Sequence, residues 1–574
     1  MASHFRALAI DFDGTLADGG PPVASVLNAI AETRAGGRRI VLVTGRILDA
    51  LRAVFPGVEG AFDAVVAENG GVIWTSALGA RPLAQPVSRE LGDALEARGV
   101  PLERGRVVLA TLADWEPAVI EEVRRLGLEV VLTRNRQALM LLPPGVTKGT
   151  GLLQALAALG MSPHSALAVG DAENDHSLIE TCELGVAVAN AVPSLLAHAD
   201  VVLRERDGDG VLELLRGPLV RGEIRVAPSR WRMRLGAGTD GTAVCIPGSQ
   251  VNLLISGGSG TGKSCLAGLL AERLVVAGYV VCVLDPEGDH LGLGSLRPVT
   301  VLGGAEGLPL PEQVTRLLRK GLGGVVVDLS LRPEGEQASY CRTLLGELAR
   351  LRVAVGLPHW IVLDEAHLVP EVVELLRSVE GSPLGGLCLV TYHAERLRHD
   401  TLRAMDYVIV CPGEENGELV RFLEAGGFPA GPVLGSPGAP GAAGRAAWLL
   451  DREGARPFTV DRRLSSHVRH WHKYLQSELP MHRRFHFRRG SELTGAAAAN
   501  LAAFHAELAR CEPAVLRHHA AHRDFSRWVH GVLQDHELAR RLAEIEARLA
   551  AGGEEVETAR LAFLRVIEAR YVGT

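Results

Sequence analysis

The chain has 574 residues, enough for three or four domains at the usual size of about 150 residues each. Hydrophobic residues make up 47% and charged residues 22%, as in ordinary globular proteins, and the net charge of −7 gives no whole-chain reason to expect nucleic acid or a membrane surface as a partner. No apolar run approaches about 18 residues, so no membrane span is predicted. Eight scattered cysteines without a CxxC pair favour reduced thiols, and the N-terminus predicts a strand rather than a signal peptide, so we expect a cytoplasmic protein.

Apolar strands alternate with helical segments over the first two hundred residues. The predicted strands span 7–12, 40–45, 64–70, 166–171 and 185–190. Such continuous apolar runs are typical of a parallel sheet that is covered on both faces and binds ligands beyond the carboxyl ends of its strands. Polar residues stand at those ends or soon after them: Asp11, Asp13, Thr44, Asp171, Asn174 and Asp175, with Lys148 at the start of an intervening helix.

These are the residue types that phosphate-ester hydrolysis requires: a nucleophile, an acid for the leaving oxygen, and positive charge on the transferring group. We predict that Asp11 attacks the phosphorus and forms an aspartyl-phosphate, and that Asp13 protonates the leaving group. Lys148 and Thr44 are predicted to bind the phosphoryl oxygens. The predicted Mg²⁺ ligands are carboxylates, which this cation prefers, with Asn174 helping to orient them: Asp11, Asp13, Asp171 and Asp175. Strand-end carboxylates and helix caps are the alternative for each residue alone, but four polar motifs in this order favour catalysis.

The four motifs are DFDGT, VTGR, VTKG and GDAEND, and together they resemble those of the haloacid dehalogenase superfamily of phosphohydrolases. The ENGG at 68–71 and the long segment between the second and third motifs are similar to its Cof-type, type IIB-like branch. The resemblance implies an α/β fold over 1–203, with a Rossmann-like parallel sheet and an inserted α/β cap at about 76–143 that selects the substrate. PPGVTKG is similar to the subgroup of sugar-phosphate and phosphoglycolate phosphatases, which implies a small phosphomonoester as substrate.

Residues 204–234 contain several Pro, Gly and Arg and are predicted to be a linker. A second α/β pattern follows, in which the strand VNLLIS, the turn GGSGTGKS and an amphipathic helix predict a P-loop that binds ATP. Lys263 is expected to reach the β- and γ-phosphate oxygens, and Ser264 to bind Mg²⁺. The loop residues expected around the phosphates are Gly257, Gly260, Thr261 and Gly262. A surface loop without a ligand is the alternative.

The strand HWIVLDEAH, at 359–367, predicts the second half of this site. Asp364 is expected to contact the Mg²⁺ shell, and Glu365 is the predicted base for the attacking water. An acid at position 365 favours ATP hydrolysis over kinase chemistry. A strand followed by the acidic start of a helix is the alternative interpretation.

Three further strands, at 280–290, 324–333 and 387–397, give residues 235–460 an order that resembles the HerA–FtsK superfamily of P-loop ATPases. The resemblance implies a P-loop NTPase domain, a homo-oligomer formed through it, and motor action on nucleic acid or protein. The sequence departs from the family at Tyr392 and His393, where members carry a polar Gln, and this weakens the inference of a motor stroke. Arg396, Arg398 and Arg403 are candidates for an arginine finger, although solvated surface arginines are the favoured interpretation.

Residues 461–574 predict a basic, His-rich helical module. Between Asp461 and Arg489, eight Lys and Arg stand against two acids, with four aromatic residues interleaved: Trp471, Tyr474, Phe485 and Phe487. This mixture leaves single-stranded nucleic acid open as a partner, but docking on an acidic face of the ATPase domain is favoured. Two histidine groups leave a metal site open, namely His467, His470 and His472, and His518, His519 and His522.

The sequence therefore predicts a Mg²⁺-dependent phosphomonoester hydrolase fused to an ATP-hydrolysing P-loop domain. One alternative is a nucleic-acid-directed motor with an accessory phosphatase. Another is a phosphatase that is gated by nucleotide, with little ATP turnover.

Overall fold

The computed structural model describes residues 3–571 apart from 136, 259–260, 322, 412–416, 432–445, 466–478, 480, 534 and 554. Within these ranges the chain forms two large sheets, a four-stranded sheet and a two-stranded hairpin, with helices packed against them. We refer to residues 3–221 as the first unit, 232–465 as the second unit and 479–571 as the C-terminal unit. None of the described helices is both long enough and apolar enough to cross a membrane.

The first unit alternates strands and helices. Its strands are β1 (Ala7–Asp11), β2 (Arg39–Val43), β3 (Ala64–Ala67), β4 (Val72–Thr75), β5 (Gly79–Pro82), β6 (Glu103–Arg104), β7 (Leu109–Leu112), β8 (Val131–Asn135), β9 (Ala138–Leu142), β10 (Ala166–Gly170), β11 (Leu184–Ala187) and β12 (Val201–Val202). Its helices are α1 (Ala24–Ala35), α2 (Leu48–Val54), α3 (Val58–Ala61), α4 (Arg89–Ala97), α5 (Glu116–Leu126), α6 (Lys148–Ala158), α7 (His176–Thr181), α8 (Pro193–His198), α9 (Asp207–Arg216) and α10 (Pro218–Arg221).

The larger sheet of the first unit has the order β12-β11-β10-β1-β2-β3-β4-β5, and its strands are parallel from β12 to β3. The central strands are buried along their whole length, as their apolar sequences predict. Because β1 and β10 are neighbours, the residues that follow them, Asp11 at the end of β1 and Asp171 after β10, meet at one edge of the sheet.

The cap is a separate antiparallel sheet in the order β6-β7-β9-β8, with α4 and α5 packed on it. Two details differ from the predicted boundaries. Strand β5, inside the range predicted for the cap, pairs with β4 in the larger sheet. Much of the predicted linker is helical: α9 buries Val211 and Leu214 in the core of the first unit, so its apolar spacing outweighs the Gly and Arg around it.

The second unit contains the other large sheet. Its strands are β13 (Arg232–Gly238), β14 (Ala243–Pro247), β15 (Asn252–Gly257), β16 (Val281–Asp285), β17 (Val299–Gly303), β18 (Gly324–Asp328), β19 (Trp360–Leu363), β20 (Leu387–Thr391), β21 (Tyr407–Cys411), β22 (Ala446–Leu450) and β23 (Ala455–Val460). Its helices are α11 (Lys263–Val276), α12 (Pro311–Leu318), α13 (Glu334–Val355), α14 (Val372–Arg377), α15 (His399–Arg403) and α16 (Gly417–Ala425).

This sheet has the order β14-β13-β23-β22-β21-β15-β20-β19-β16-β18-β17, and it is parallel from β21 to β17. Strand β15 leads through the GGSGTGKS turn into α11, and β19 leads into Asp364. The carboxyl ends of β15, β16 and β19 therefore share one edge, where the nucleotide residues were predicted.

The two large sheets are joined near the amino ends of their parallel strands. His164 and Glu183 precede β10 and β11 and contact the turn between α11 and β16. His164 Nε2 lies 2.9 Å from the carbonyl oxygen of Ala277, and Tyr279 Oη donates to Glu183 Oε2 at 2.9 Å. One hydrophobic core contains residues of both sheets. Since parallel sheets bind ligands at their carboxyl ends, the two sets of candidate residues lie on the far sides of this joint.

The C-terminal unit combines a hairpin with a helical bundle. Its elements are β24 (Phe485–Arg489), β25 (Glu492–Ala498), α17 (Leu501–Arg510), α18 (Pro513–His522), α19 (Asp524–Trp528), α20 (His536–Ala550) and α21 (Val556–Tyr571). A bundle was predicted over this segment, but the hairpin was not, because its basic residues obscure the alternation that buries Phe485 and Phe487.

Candidate functional site

The first candidate site is a buried charge cluster at the carboxyl ends of β1 and β10. Lys148 Nζ donates to Asp11 Oδ1 and to Asp175 Oδ1, each at 2.6 Å. All three side chains are at most 3% exposed. Lys148 is held there because it begins α6, whose first turn is capped by Thr147. The structure thus brings the predicted nucleophile and the predicted phosphate-binding lysine into direct contact.

Burial raises the pKa of Asp11 well above its usual range, and the charge of Asp175 adds to this rise while Lys148 opposes it. Burial acts to lower the pKa of Lys148, but the charges and hydrogen bonds of Asp11 and Asp175 outweigh it, so the pKa of the lysine lies above its usual range. A carboxylate in such a place stays ionised only while positive charge remains beside it.

The carboxylates fit a divalent cation. Oxygen atoms of Asp11, Asp171 and Asp175 all lie within 4.8 Å of one another, and the three residues are buried. They present only oxygen donors, which Mg²⁺ prefers, and Lys148 supplies one positive charge against their three negative charges. Thr15 Oγ1 donates to Asp171 Oδ1 at 2.8 Å. Thr15 is the last residue of the DFDGT motif, and the sequence alone did not indicate this role.

Asp175 shapes the loop that carries Asp171. Its Oδ2 accepts the backbone N–H groups of Asp171 and Ala172, at 3.0 and 2.9 Å, while its Oδ1 accepts from Lys148. Because both of its oxygens accept hydrogen bonds, Asp175 holds Lys148 and the backbone of Asp171 in position beside Asp11.

Asp13 lies apart from the carboxylate cluster, although it was predicted as a ligand as well as an acid. Arg46 donates to it through Nη2 at 2.5 Å and through Nε at 2.8 Å. The side chain of Asp13 is 34% exposed, so it faces the opening of the site. This position suits a proton donor to a leaving group better than a ligand inside the cluster. Arg46 belongs to the VTGR motif but had been given no role.

Thr44 is fully buried at the end of β2, and its hydroxyl accepts the backbone N–H of Arg46 at 3.1 Å. Beside it, Met140 of the cap packs so closely on Gly45 that a Cβ there would lie 3.3 Å from its Sδ. Asn174 donates to Asn69 Oδ1 at 3.0 Å. The predicted phosphate-binding loop therefore lies under the cap.

Glu68 ties the cap to the core, and sequence reasoning had not identified it beyond the ENGG motif. It is fully buried, and its carboxylate accepts the backbone N–H groups of Arg106, Val107 and Val108 at 3.0, 2.8 and 3.3 Å. These residues directly precede the cap strand β7, so one carboxylate holds the segment that leads into the cap sheet.

Glu68→Gln is expected to loosen this segment. The amide NH₂ of glutamine is a donor and would face backbone N–H groups, which are also donors. A buried N–H group left without an acceptor costs about 1–3 kcal/mol of stability. We expect a lower melting temperature and a KM for phosphomonoesters that is several-fold higher, with a smaller change in kcat. Steady-state kinetics and thermal unfolding measure both, with the exposed Glu103→Gln as control. An unchanged KM and melting temperature would show that the cap is held by other contacts.

Comparison with known proteins identifies the first unit. The sequence profile of the haloacid dehalogenase-like hydrolases matches residues 8–95 and 113–215. A phosphoglycolate phosphatase of Methanothermobacter thermautotrophicus is 35% identical over 218 residues, which cover 97% of that protein and 37% of this chain. The chain belongs to the haloacid dehalogenase-like hydrolases.

Two further similarities concern the same part of this haloacid dehalogenase-like hydrolase. A phosphoglycolate phosphatase of Methanoculleus marisnigri is 33% identical over 227 residues, covering 95% of that protein and 37% of this chain. A solved structure of a subclass IIB sugar phosphatase is 19% identical, with a TM-score of 0.32, and the match covers 98% of that chain and 37% of this one. The superfamily predicted from the four motifs is confirmed within residues 8–215.

The second candidate site lies where β15 enters α11. Gly257 has φ of 148°, and a Cβ there would lie 2.3 Å from the carbonyl oxygen of Cys411; Gly262 has φ of 105°. Both of these positions in the turn require glycine. Lys263 Nζ and Thr261 Oγ1 each donate to the carbonyl oxygen of Gly258 at 2.9 Å. Ser264 lies in the first turn of α11. Gly260, the remaining predicted loop residue, lies outside the described residues.

Asp364 and Glu365 follow β19 beside this turn. Asp364 Oδ1 accepts the backbone N–H of Glu365 at 2.9 Å, and its Oδ2 lies 2.9 Å from Nε2 of the fully buried His290. Burial acts to raise the pKa of Asp364, but the His290 hydrogen bond and nearby positive charge, including Lys263, hold it below the usual range. Burial raises the pKa of Glu365, a shift in the direction that a general base needs.

The end of β20 carries an aromatic group in place of a polar Gln. The ring of Tyr392 lies 4.0 Å from that of His393 and 5.0 Å from that of His367, and Lys263 Nζ lies 6.0 Å from its centre. His367 Nδ1 lies 3.2 Å from Glu365 Oε2. The three arginines considered as fingers, Arg396, Arg398 and Arg403, are all exposed.

The described residues of the C-terminal unit bear on two features that its sequence had left open. Phe485 and Phe487 are 6% and 1% exposed, so they are core residues and not stacking platforms for bases. His519 accepts the backbone N–H of Arg488 through Nε2, and its Nδ1 lies 2.8 Å from Asp524 Oδ2. Ligand atoms of His518, His519 and Asp524 lie within 4.8 Å of one another, so a metal there would have to displace these hydrogen bonds. The other candidates lie outside the described residues: Trp471, Tyr474, His467, His470 and His472.

Proposed function

We propose that the first unit is a Mg²⁺-dependent phosphomonoester hydrolase that acts on a small substrate of the phosphoglycolate or sugar-phosphate class. The observation that carries this proposal is the buried contact of Lys148 with Asp11 and Asp175, next to Asp171. The names of the relatives, phosphoglycolate phosphatases, support the substrate class. The location of the chemistry beneath a small cap supports a small substrate.

The reaction follows from the positions of the side chains. Asp11 attacks the phosphorus, the bond from phosphorus to the ester oxygen breaks, and Asp13 gives its proton to the leaving alkoxide. Lys148 neutralises charge on the phosphoryl oxygens, and the hydroxyl of Thr44 orients them by a hydrogen bond. Asp11 and Asp171 would hold Mg²⁺, which would neutralise charge on the transferring group. Asp13, then ionised, takes a proton from the water that attacks the aspartyl-phosphate, which releases inorganic phosphate and restores Asp11.

Arg46 occupies Asp13 in this structure. It donates to both carboxylate oxygens, whereas the proposed acid must reach the leaving oxygen when the ester bond breaks. We therefore propose that substrate binding draws Arg46 onto the substrate and releases Asp13 to act as the acid.

A substrate panel tests this function. 2-Phosphoglycolate, several sugar phosphates, a nucleoside monophosphate and a phosphopeptide are incubated with the full chain, with Mg²⁺ or with EDTA, and each again with ATP. We expect Mg²⁺-dependent release of phosphate from small esters and little from the phosphopeptide. Preference for the phosphopeptide would contradict the proposed substrate class.

For the second unit we propose binding and hydrolysis of ATP. The support is the glycine-dependent turn before α11, with Lys263 in its first turn and Asp364 and Glu365 beside it. Lys263 would hold the β- and γ-phosphates, Asp364 the Mg²⁺ shell and Glu365 the attacking water. In the described residues nothing favours a nucleic-acid-directed motor over this function.

A nucleotide-gated phosphatase is the second candidate, and the joint between the units favours it. Strand β10 and helix α7 carry Asp171 and Asp175 at one end and His164 and Glu183 at the other. His164 and Glu183 make hydrogen bonds with Ala277 and Tyr279, which follow the end of α11. The first residue of α11 is Lys263. Strand β10 and helix α7 thus connect the first site to the joint, and the two candidate sites lie on opposite sides of it.

Tyr279→Phe is expected to weaken this connection. It removes the hydroxyl that donates to Glu183 and keeps the ring that stacks on His164 at 3.8 Å. If gating operates, a non-hydrolysable ATP analogue changes kcat/KM of the wild-type phosphatase at least about twofold, and the variant shows a smaller change with its basal activity kept. Tyr407→Phe, on β21, is the control. A wild-type phosphatase that ignores saturating nucleotide would reject gating and leave two independent enzymes.

A further inference from the structure

We propose that His290 is a positioning residue that fixes the carboxylate of Asp364 for the Mg²⁺ of the bound nucleotide, an assignment that rests on the proposed ATP site. His290 lies in the segment DPEGDH after β16. In the described residues its hydrogen bonds are with Asp285 and Asp364, and none reaches the turn before α11. Its role would be exerted through Asp364.

The backbone brings His290 to Asp364 in a specific way. In neighbouring strands β16 and β19, Leu284 pairs with Leu363, so Asp285 and Asp364 follow side by side. The carboxylate of Asp285 accepts the backbone N–H groups of Asp289 at 3.0 Å and His290 at 2.7 Å, which closes the segment into a turn.

Gly288 has φ of 75° within this turn, a conformation that other residues adopt only under strain. The turn directs the imidazole back over the end of β19. Asp285 therefore places His290, and His290 in turn reaches Asp364.

The contacts of Asp364 divide between its two oxygens. Oδ1 accepts from the backbone of Glu365, and Oδ2 is bonded to His290 Nε2. Two donors fixed on separate oxygens set the plane of the carboxylate before any ligand arrives. The remaining lone pairs then have one orientation, which is what a metal shell requires of its supporting groups.

His290 makes no other polar side-chain contact in the described residues. It is fully buried, and its Nδ1 has no hydrogen-bond partner. A buried imidazole with one nitrogen unsatisfied carries a cost, which a valine or leucine of similar fit would avoid. The one hydrogen bond of this side chain is thus the bond to Asp364, with the carboxylate of Asp285 nearby.

The alternative is that His290 only compensates the buried charge of Asp364 and so stabilises the fold. The two roles separate in Mg²⁺ dependence. Binding of a fluorescent ATP analogue to the full chain is measured in EDTA and across a Mg²⁺ titration, together with thermal unfolding. His290→Gln keeps an N–H donor, and His290→Met keeps the volume without one.

We expect His290→Met to raise the Mg²⁺ concentration for half-maximal enhancement of binding by about tenfold or more, as loss of such supporting partners typically does. Affinity in EDTA should stay within about twofold of wild type, and His290→Gln should recover most of the Mg²⁺ response. His359→Gln is the matched control. His359 is also buried, but it lies just before the other end of β19, where its Nδ1 accepts the backbone N–H of Val280. It should lower the melting temperature without moving the Mg²⁺ titration.

An unchanged Mg²⁺ titration in a folded His290→Met protein would overturn the assignment and leave a structural role. If that variant does not fold, Gly288→Ala, which strains the turn and keeps both side chains, replaces it, and an unchanged titration there has the same meaning. Wild-type protein that binds no nucleotide would overturn the ATP site itself. Binding that is lost in Lys263→Ala but unaffected in the His290 variants would overturn only the positioning role.

Discussion

Asp11→Asn is expected to abolish phosphomonoester hydrolysis, lowering kcat by about 10⁴-fold or more. The amide occupies the same volume and can still accept from Lys148, but it has no negative charge and cannot form the aspartyl-phosphate. The measurement is Mg²⁺-dependent hydrolysis of p-nitrophenyl phosphate. The cluster loses one of its negative charges, so the variant should fold and melt no lower than the wild type.

Asp18→Asn is the matched control, because Asp18 is an exposed aspartate in the same loop. It should keep wild-type activity. If Asp11→Asn retains more than a few per cent of the activity, the nucleophile is another residue and the mechanism proposed for the first unit is wrong.

Lys263→Ala should remove ATP binding and hydrolysis while sparing the phosphatase. The buried ammonium is the only lysine near the turn before α11 in the described residues, and losing its charge-assisted hydrogen bonds to phosphate should cost about 3 kcal/mol or more, or about 10²-fold in Kd. Isothermal titration with ATP and a phosphate-release assay measure the two effects. Phosphatase activity without nucleotide should stay at the wild-type level, because the two sites are on opposite sides of the joint.

Lys320→Ala, at an exposed lysine after α12, is the control and should bind ATP normally. Normal ATP affinity in Lys263→Ala would mean that the turn binds no phosphate. Loss of phosphatase activity in the same variant would mean that the two units cannot work independently.

The meeting of Asp11, Asp171 and Lys148 in the first candidate site could be predicted because parallel-sheet topology brings the ends of neighbouring strands together. Asp11 and Asp171 follow apolar strands, and the carboxyl ends of parallel strands share an edge. Lys148 begins a helix directly after the cap, a position that carries it to the same edge. The residues of the candidate nucleotide site were predicted from a similar pattern, a strand, a glycine-rich turn and a helix in succession.

The contacts that modify these sites could not be predicted, because they join residues far apart in the sequence. Nothing in DPEGDH indicates that His290 reaches Asp364, since the turn depends on Asp285 accepting two backbone donors. Glu183 belongs to no recognised motif, yet its carboxylate accepts hydrogen bonds from the hydroxyl groups of Ser249 and Tyr279 in the second unit. The pairing of Asp13 with Arg46 likewise requires two loops to meet.

The ends of the structural units and the elements at them were also hard to predict from the sequence. The linker prediction relied on Gly, Pro and Arg content, whereas α9 is decided by Val211 and Leu214 on one face. In the C-terminal unit the local composition suggested a basic, aromatic surface. The structure instead buries the aromatic residues of β24 and leaves the basic ones outside, which a strand with alternating faces achieves naturally.

The joint separates the two candidate sites. Because the two sheets are joined near their amino ends, the candidate sites lie at carboxyl edges on opposite sides of the joint. If both proposed activities exist, an influence of one on the other would pass through packed elements such as β10, α7 and α11.

The most direct test of the account is to trap the phosphorylated enzyme. The full chain is mixed with a small phosphomonoester and Mg²⁺, quenched in acid during turnover and reduced with borohydride, which converts an aspartyl-phosphate to homoserine. Peptide mass spectrometry should find homoserine at Asp11, and not in samples that lack substrate or contain EDTA. Homoserine at another aspartate, or a phosphorylated histidine or serine formed at the rate of turnover, would contradict it.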